Sequence, residues 1–253
     1  MYAAFVIGMA GSGKSALTSE FLSWARLKGQ DVVALNLDPG VKSLPYSPDV
    51  DIRSYVSVEA LMEEYGLGPN GALLMAADLI GDHLEELREE VESTGAGLVL
   101  VDTPGQIELF AFRESGKFVA AELTEDPKAV LYLLDGPFSK NPLNYISNMY
   151  MSMAVYERIT LPQIYVLSKA DLLSEEELGT VMGWSEDIEN LEGALRGASE
   201  GMAYLISKDL ARAMSGIGID FQPLPVSSKR ATGFTELYAE IMRALRGGEE
   251  LDP

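Results

Sequence analysis

Residues Gly8-Met9-Ala10-Gly11-Ser12-Gly13-Lys14-Ser15 constrain this chain more than any other stretch. They follow a short apolar run, residues 2–7, and open a helical pattern over residues 14–28. Glycines let such a loop curl until successive backbone N–H groups converge on one anion. The helix that follows adds its own unpaired N–H groups and the positive end of its dipole. Strand, glycine-rich loop and helix in this order form a phosphate-cradling P-loop. In that reading Gly11, Ser12, Gly13, Lys14, Ser15 and Ala16 surround a phosphate chain. Lys14 reaches the β- and γ-phosphates, and the Ser15 hydroxyl binds Mg²⁺. The bland alternative is a glycine-rich turn that matches by chance. The complete pattern in its proper context favours the first, so a nucleoside triphosphate is the starting ligand.

At 253 residues the chain can bury a substantial core, and its simplest organisation is one domain over residues 1–246 with a short acidic tail, 247–253. The net charge is −20, from 39 acidic and 19 basic residues, which repels a nucleic acid or an anionic membrane at long range. It does not repel a nucleotide, because local amides, Lys14 and a cation can dominate one pocket inside an acidic field. The absence of cysteine excludes disulfides, thiolate zinc sites and prenylation. No apolar run reaches the about 18–20 residues of a membrane-spanning helix. The N-terminal apolar run lacks a basic flank and leads straight into the P-loop, so it reads as a strand, not a signal peptide. A cytoplasmic protein is the expectation.

Apolar runs at 2–7, 31–37, 97–101, 129–134, 163–167 and 222–226 read as strands. Several are apolar at consecutive positions, as parallel strands covered on both faces require. Helical patterns fall at 14–28, 58–64, 72–92, 141–158, 188–214 and 234–245. This alternation predicts a doubly wound α/β fold with a mainly parallel sheet and helices on both faces. Residues 174–218 form a mostly helical insertion before the last strand, covering a sheet face or making a small lid. Ligands in such folds bind beyond the carboxyl ends of the strands.

The chemistry-bearing residues lie at those ends. Asp38, in Asn36-Leu37-Asp38-Pro39-Gly40, can orient a metal-bound or attacking water, or can serve as a turn residue bonding its own backbone. Asp102 closes an apolar run, the arrangement in which a carboxylate holds Mg²⁺ directly or through water. Beyond it, the Gly105 N–H can sense a γ-phosphate. Gln106 can orient water, or can be an exposed polar residue opening a helix. Ser168-Lys169-Ala170-Asp171 is similar to the Asn/Thr-Lys-x-Asp base-recognition motif of GTPases. A carboxylate accepts from both N1–H and the 2-amino group of guanine, a donor pair that adenine lacks. Lys169 lays its stem across the base. Ser168 departs from the usual Asn or Thr, which leaves a flanking hydrogen bond open. Ser227 and Ser228 follow the last strand, where a GTPase places backbone N–H groups against the guanine oxygen.

Gly68-Pro69-Asn70, read alone, is a turn between two helices. Taken with Asn36-Leu37-Asp38-Pro39, Asp51-Ile52-Arg53, Ser57-Val58-Glu59 and Asp102-Thr103-Pro104-Gly105-Gln106-Ile107-Glu108, it makes the chain resemble the GPN-loop GTPases from residue 8 to about 230. The resemblance implies a homodimer in which the Gly68-Pro69-Asn70 loop of one subunit reaches the other's nucleotide, with Asn70 contacting phosphate oxygens. It implies Mg²⁺-dependent hydrolysis of GTP to GDP and phosphate, with Asp38, Asn70 and Gln106 as catalytic candidates and Ser15 and Asp102 as metal ligands. It also implies a role in assembling protein complexes, RNA polymerase among them in eukaryotic relatives. A neutral carboxamide is weaker than an arginine finger, so slow turnover is expected. A GTP-held switch without hydrolysis and a small-molecule phosphotransferase are the rival readings, and no acceptor-binding cluster supports the latter.

Four further features are read conservatively. The Met- and Tyr-rich segment 141–158 is core filling or a plastic groove for a client peptide. His83 is a surface or capping residue with no second zinc ligand near it. Arg53 and Arg113 are ion-pair residues before they are phosphate ligands. The acidic faces at 85–92 and 175–177 are solvated.

Overall fold

The computed structural model describes residues 1–216 and 221–247. Its strands are β1 (Tyr2–Gly8), β2 (Val32–Asn36), β3 (Val50–Asp51), β4 (Leu98–Asp102), β5 (Lys128–Asp135), β6 (Gln163–Ser168) and β7 (Leu224–Pro225). They form one sheet in the order β3-β2-β4-β1-β5-β6-β7, and every neighbouring pair is parallel. This is the doubly wound α/β architecture. Its helices are α1 (Lys14–Leu27), α2 (Val58–Tyr65), α3 (Pro69–Leu79), α4 (Leu84–Ser93), α5 (Glu114–Glu122), α6 (Gly136–Ser139), α7 (Pro142–Ile159), α8 (Glu175–Glu186), α9 (Ile188–Ala198), α10 (Gly201–Gly216) and α11 (Phe234–Leu245).

The period-two alternation of side chains divides the core into two layers. Ala4 and Val6 of β1 join Leu100, Leu131 and Val166 against Leu17 and Phe21 of α1 and Phe234, Leu237 and Ile241 of α11. Ala3, Phe5 and Ile7 point the other way, with Leu35, Val101, Val130 and Tyr132, under α2–α5 and α7. The described part of the insertion is α8, α9 and α10. Trp184 of α8 meets the edge of Tyr145 of α7 at 5.4 Å, and Leu191, Leu195 and Met214 enter the same layer. The insertion therefore covers a sheet face through α7. Its last two residues, 217 and 218, and the tail beyond Gly247 lie outside the described residues. Segment 141–158 is chiefly core filling, with Tyr145, Ile146, Met149 and Val155 buried.

Four elements differ from the sequence expectation. The single helix over 72–92 is two helices, α3 and α4, separated by a 3-10 turn at Gly81–His83. Gly81 and Asp82 are weak helix formers, and the break lets Gly81 lie against Ser115 and Phe118 of α5. The helix over 188–214 is likewise divided into α9 and α10 at Ser199 and Glu200. Helix α5 and strand β3 were not expected at all. A Cβ at Gly116 of α5 would overlap the Phe110 carbonyl oxygen, so close packing demands the glycine that disguises the helix. Strand β3 has two residues, too few to show a period.

Candidate nucleotide site

The registers bring the chemistry-bearing residues to one sheet edge. Asp102 lies beside Val6 on one side and Asn36 on the other, and Ser168 lies beside Asp135. The P-loop rises between these strand ends. A Cβ at Gly8 would stand 2.8 Å from both the Leu133 carbonyl oxygen and the Ser12 hydroxyl, so only glycine lets the loop begin there. Gly11 and Gly13 have φ of 79° and 94°, the left-handed region that favours glycine. Gly13 precedes α1 without a side-chain cap, so the first-turn N–H groups of Ser15, Ala16 and their neighbours remain for an anion. Lys14 is buried, and its ammonium donates to Gly8 O at 2.8 Å, Met9 O at 3.2 Å and Gly105 O at 3.0 Å. Burial holds its pKa below the usual lysine range, while the Asp102 and Asp38 carboxylates oppose that shift. The buried Ser12 hydroxyl has no hydrogen-bond partner.

Asp38 makes the turn bond that is one of its two expected uses, and a second bond to the Gly105 amide. Its Oδ1 accepts from the Gly40 N–H at 2.9 Å, the turn-forming bond, and its Oδ2 accepts from the Gly105 N–H at 2.9 Å. The amide expected to sense a γ-phosphate is thus held by Asp38 in this state. Asp102 is buried. One of its oxygens, Oδ2, accepts from the Tyr46 hydroxyl at 2.9 Å, and Oδ1 is buried with no partner. Burial pushes its carboxyl up to about 6, and the Ser15 and Tyr46 hydroxyls and the Lys14 charge draw it back. An orphaned carboxylate oxygen beside a serine hydroxyl is a donor set for a hard cation such as Mg²⁺. Among the described residues there is no cluster of three or more His, Asp or Glu that could hold a metal. A cation here would complete its shell with phosphate and water, as Mg²⁺ commonly does.

At the base end, the Ser168 hydroxyl lies 2.6 Å from Ser12 O and 3.0 Å from Leu134 O. The flanking bond that the serine left open is made, to the P-loop itself. Lys169 sits at φ 55° and donates to Gly11 O at 2.6 Å and to Asp135, and a Cβ on Gly13 would stand 3.8 Å from its Cε. Its stem therefore crosses the loop where a base would lie. Asp171 Oδ1 accepts from the Ser227 hydroxyl at 2.6 Å, and Ser227 Oγ accepts from the Arg230 N–H at 3.1 Å. Ser228 is half-buried beside it, and its carbonyl accepts from the Ala231 N–H at 3.2 Å.

Two of the catalytic candidates, Asn70 and Gln106, are exposed. Gly68, Pro69 and Asn70 are all exposed at the start of α3, where Pro69 occupies the first turn. Gln106 is exposed and opens a 3-10 turn, Ile107–Leu109. One contact ties the Gly-Pro-Asn helix to the phosphate end: a Cβ on Gly40 would collide with the Leu73 side chain of α3. Arg53 is engaged by Asp51 through both oxygens and by Val41 O at 3.0 Å, and Arg113 pairs with Asp78. His83 is partly exposed, with its ring 5.3 Å from that of Tyr55.

Sequence reasoning passed over Tyr46, the hydroxyl role of Ser227 and the Asp135 brace on Lys169. Tyr46 lies in a proline-containing loop with no motif around it, 56 residues before Asp102. Asp135 does carry a signal, an acid closing an apolar strand as Asp102 does.

The model of a family described as a conserved hypothetical ATP binding protein matches residues 6–247. The chain is 36% identical over 236 residues to GPN-loop GTPase PAB0955 of Pyrococcus abyssi, covering 91% of this chain and 92% of that protein. It is 28% identical over 239 residues to GPN-loop GTPase 1 of Dictyostelium discoideum, covering 93% of this chain but 59% of that relative's length. The solved apo form of the Pyrococcus abyssi GTPase PAB0955 has a TM-score of 0.86 at 33% identity, covering 96% of this chain and 97% of that one. The family description names ATP and the relatives are named GTPases, so the base must be argued from the site. No helix among the described residues is long and apolar enough to cross a membrane. Matched over nearly its whole length in sequence and in fold, the chain belongs to the GPN-loop GTPase family.

Proposed function

We propose that this chain binds GTP with Mg²⁺ and hydrolyses it to GDP and phosphate as a homodimer, using one nucleotide-binding domain over residues 1–246. The observation that carries the choice of nucleotide is Asp171. Its carboxylate is oriented by the buried Ser227 hydroxyl, and its strand is tied to the P-loop through Ser168 and Lys169. Such a carboxylate matches the N1–H and 2-amino donors of guanine and would be left unpaired against adenine.

Lys14 exchanges its carbonyl acceptors for phosphate oxygens, and the amides of Gly11 to Ala16 hold the same oxygens. Ser15 and Asp102 would hold Mg²⁺, which would supply neutralisation of the phosphate charge. Asp38, on the phosphate side of the crevice, orients a water for attack on the γ-phosphorus. The new P–O bond forms as the bond to the β-phosphate oxygen breaks, GDP leaves, and the water's proton ends on phosphate or solvent. Gln106 and the Asn70 of a second copy supply carboxamide contacts to the water and the transferring phosphoryl group. A role in assembling protein complexes is the cellular extension of this reading, supported by the family resemblance.

One observation favours a second reading, a GTP-held switch. Asn70 and Gln106 are both exposed, so packing holds neither carboxamide in a lone chain. Single-turnover release of phosphate separates the two. The proposal predicts Mg²⁺-dependent release from GTP and none from ATP, abolished by Asp171→Asn. GTP that binds tightly and stays intact supports the switch, and equal turnover of ATP contradicts the guanine assignment.

A further inference from the structure

The loop between β2 and β3 folds back over α1 and is fastened at three points. The Ser19 hydroxyl donates to Pro45 O at 3.2 Å, and Arg26 donates to both oxygens of Asp49 at 2.9 and 2.7 Å. Asp49 in turn accepts from the Ala34 N–H at 2.8 Å through Oδ2. Between these anchors the Tyr46 ring packs against the layer built on α1 and α11, and its hydroxyl reaches Asp102. Ser15 and Ser19 are four residues apart on α1 and so share a face. The fastening of the loop thus sits one turn behind the hydroxyl assigned to the metal.

From this geometry we infer that Tyr46 is a positioning residue for the metal carboxylate. It caps Asp102 Oδ2 and leaves Oδ1 as the partnerless oxygen of a carboxylate that the Ser15 hydroxyl adjoins. The inference rests on reading Asp102 and Ser15 as metal ligands and adds a residue to that site. The physical reason is that a carboxylate rotates about one bond and presents two equivalent oxygens. A hydrogen bond from a fixed donor to one oxygen removes that freedom and selects the other for the cation. The two oxygens here are in fact unlike: one is bonded and one is buried without a partner.

The test uses the full chain loaded with GDP and titrated with Mn²⁺ as the probe, free Mn²⁺ being followed by electron paramagnetic resonance. Tyr46→Phe keeps the ring and removes the donor. Expected is a loss of about tenfold in Mn²⁺ affinity. Unfolding temperature and GDP affinity in EDTA should stay at their native values, a pattern that mere loosening of the loop does not produce. Asp102→Asn should lose Mn²⁺ more severely. Native or tighter Mn²⁺ binding in Tyr46→Phe, with binding lost in Asp102→Asn, overturns the role of Tyr46 and leaves the metal site standing. Native binding in Asp102→Asn overturns the ligand assignment, and the role of Tyr46 with it.

Discussion

Lys14 and Asn70 lie on opposite sides of the same chemical question and are held in opposite ways. Lys14 is buried, makes three hydrogen bonds to carbonyl oxygens and faces two carboxylates. Asn70 projects from an exposed helix start, although the helix behind it packs on Gly40 and so on the Asp38 turn. The buried region is ordered by its own hydrogen bonds before any ligand arrives, and phosphate oxygens would replace the carbonyl acceptors of Lys14. The exposed region has the carboxamide and no local use for it. In the homodimer proposed above, one half would present this difference: a buried phosphate cradle, and an exposed carboxamide available to a second copy.

The comparison can be broken from either side. Lys14→Ala should have the largest effect, lowering GDP and GTP affinity about a hundredfold through loss of charge-assisted phosphate bonds, as read by calorimetry. Asn70→Ala should leave nucleotide affinity within about twofold of native while slowing single-turnover hydrolysis about a hundredfold, like removal of one oxyanion-type donor. Fast hydrolysis in Asn70→Ala would remove the loop from the chemistry. The smallest effect on function is expected from Gly116→Ala, whose added methyl overlaps the Phe110 carbonyl under α5. It should cost about 1–3 kcal/mol of stability by denaturant unfolding while leaving nucleotide affinity unchanged, which separates scaffold from site.

What the sequence reveals follows the same division. The P-loop, Asp102 and Ser168 to Asp171 are legible because each packs its chemistry into a few consecutive residues after an apolar strand. Asp171 is legible for its base but not for its orientation, since Ser227 is 56 residues away. Tyr46 is illegible for the same reason, its carboxylate partner being equally distant in the chain. Helix α5 was hidden by a glycine that serves packing, and the 72–92 helix was overextended because its apolar spacing continues across Gly81. Local chemistry can be read from sequence, whereas the partners that aim it are set by the topology of the sheet.

The central claim, that one subunit's cradle is completed by the other's Gly-Pro-Asn loop, is tested most directly by mixing two defective copies. Lys14→Ala has an intact loop and a broken cradle, and Asn70→Ala has the reverse. Each alone should be nearly inactive in single-turnover GTP hydrolysis. A co-expressed mixture should regain about a quarter of native activity per site, because half of the random pairs are mixed and each mixed pair holds one complete site. A mixture no more active than the sum of its parts would contradict the shared site.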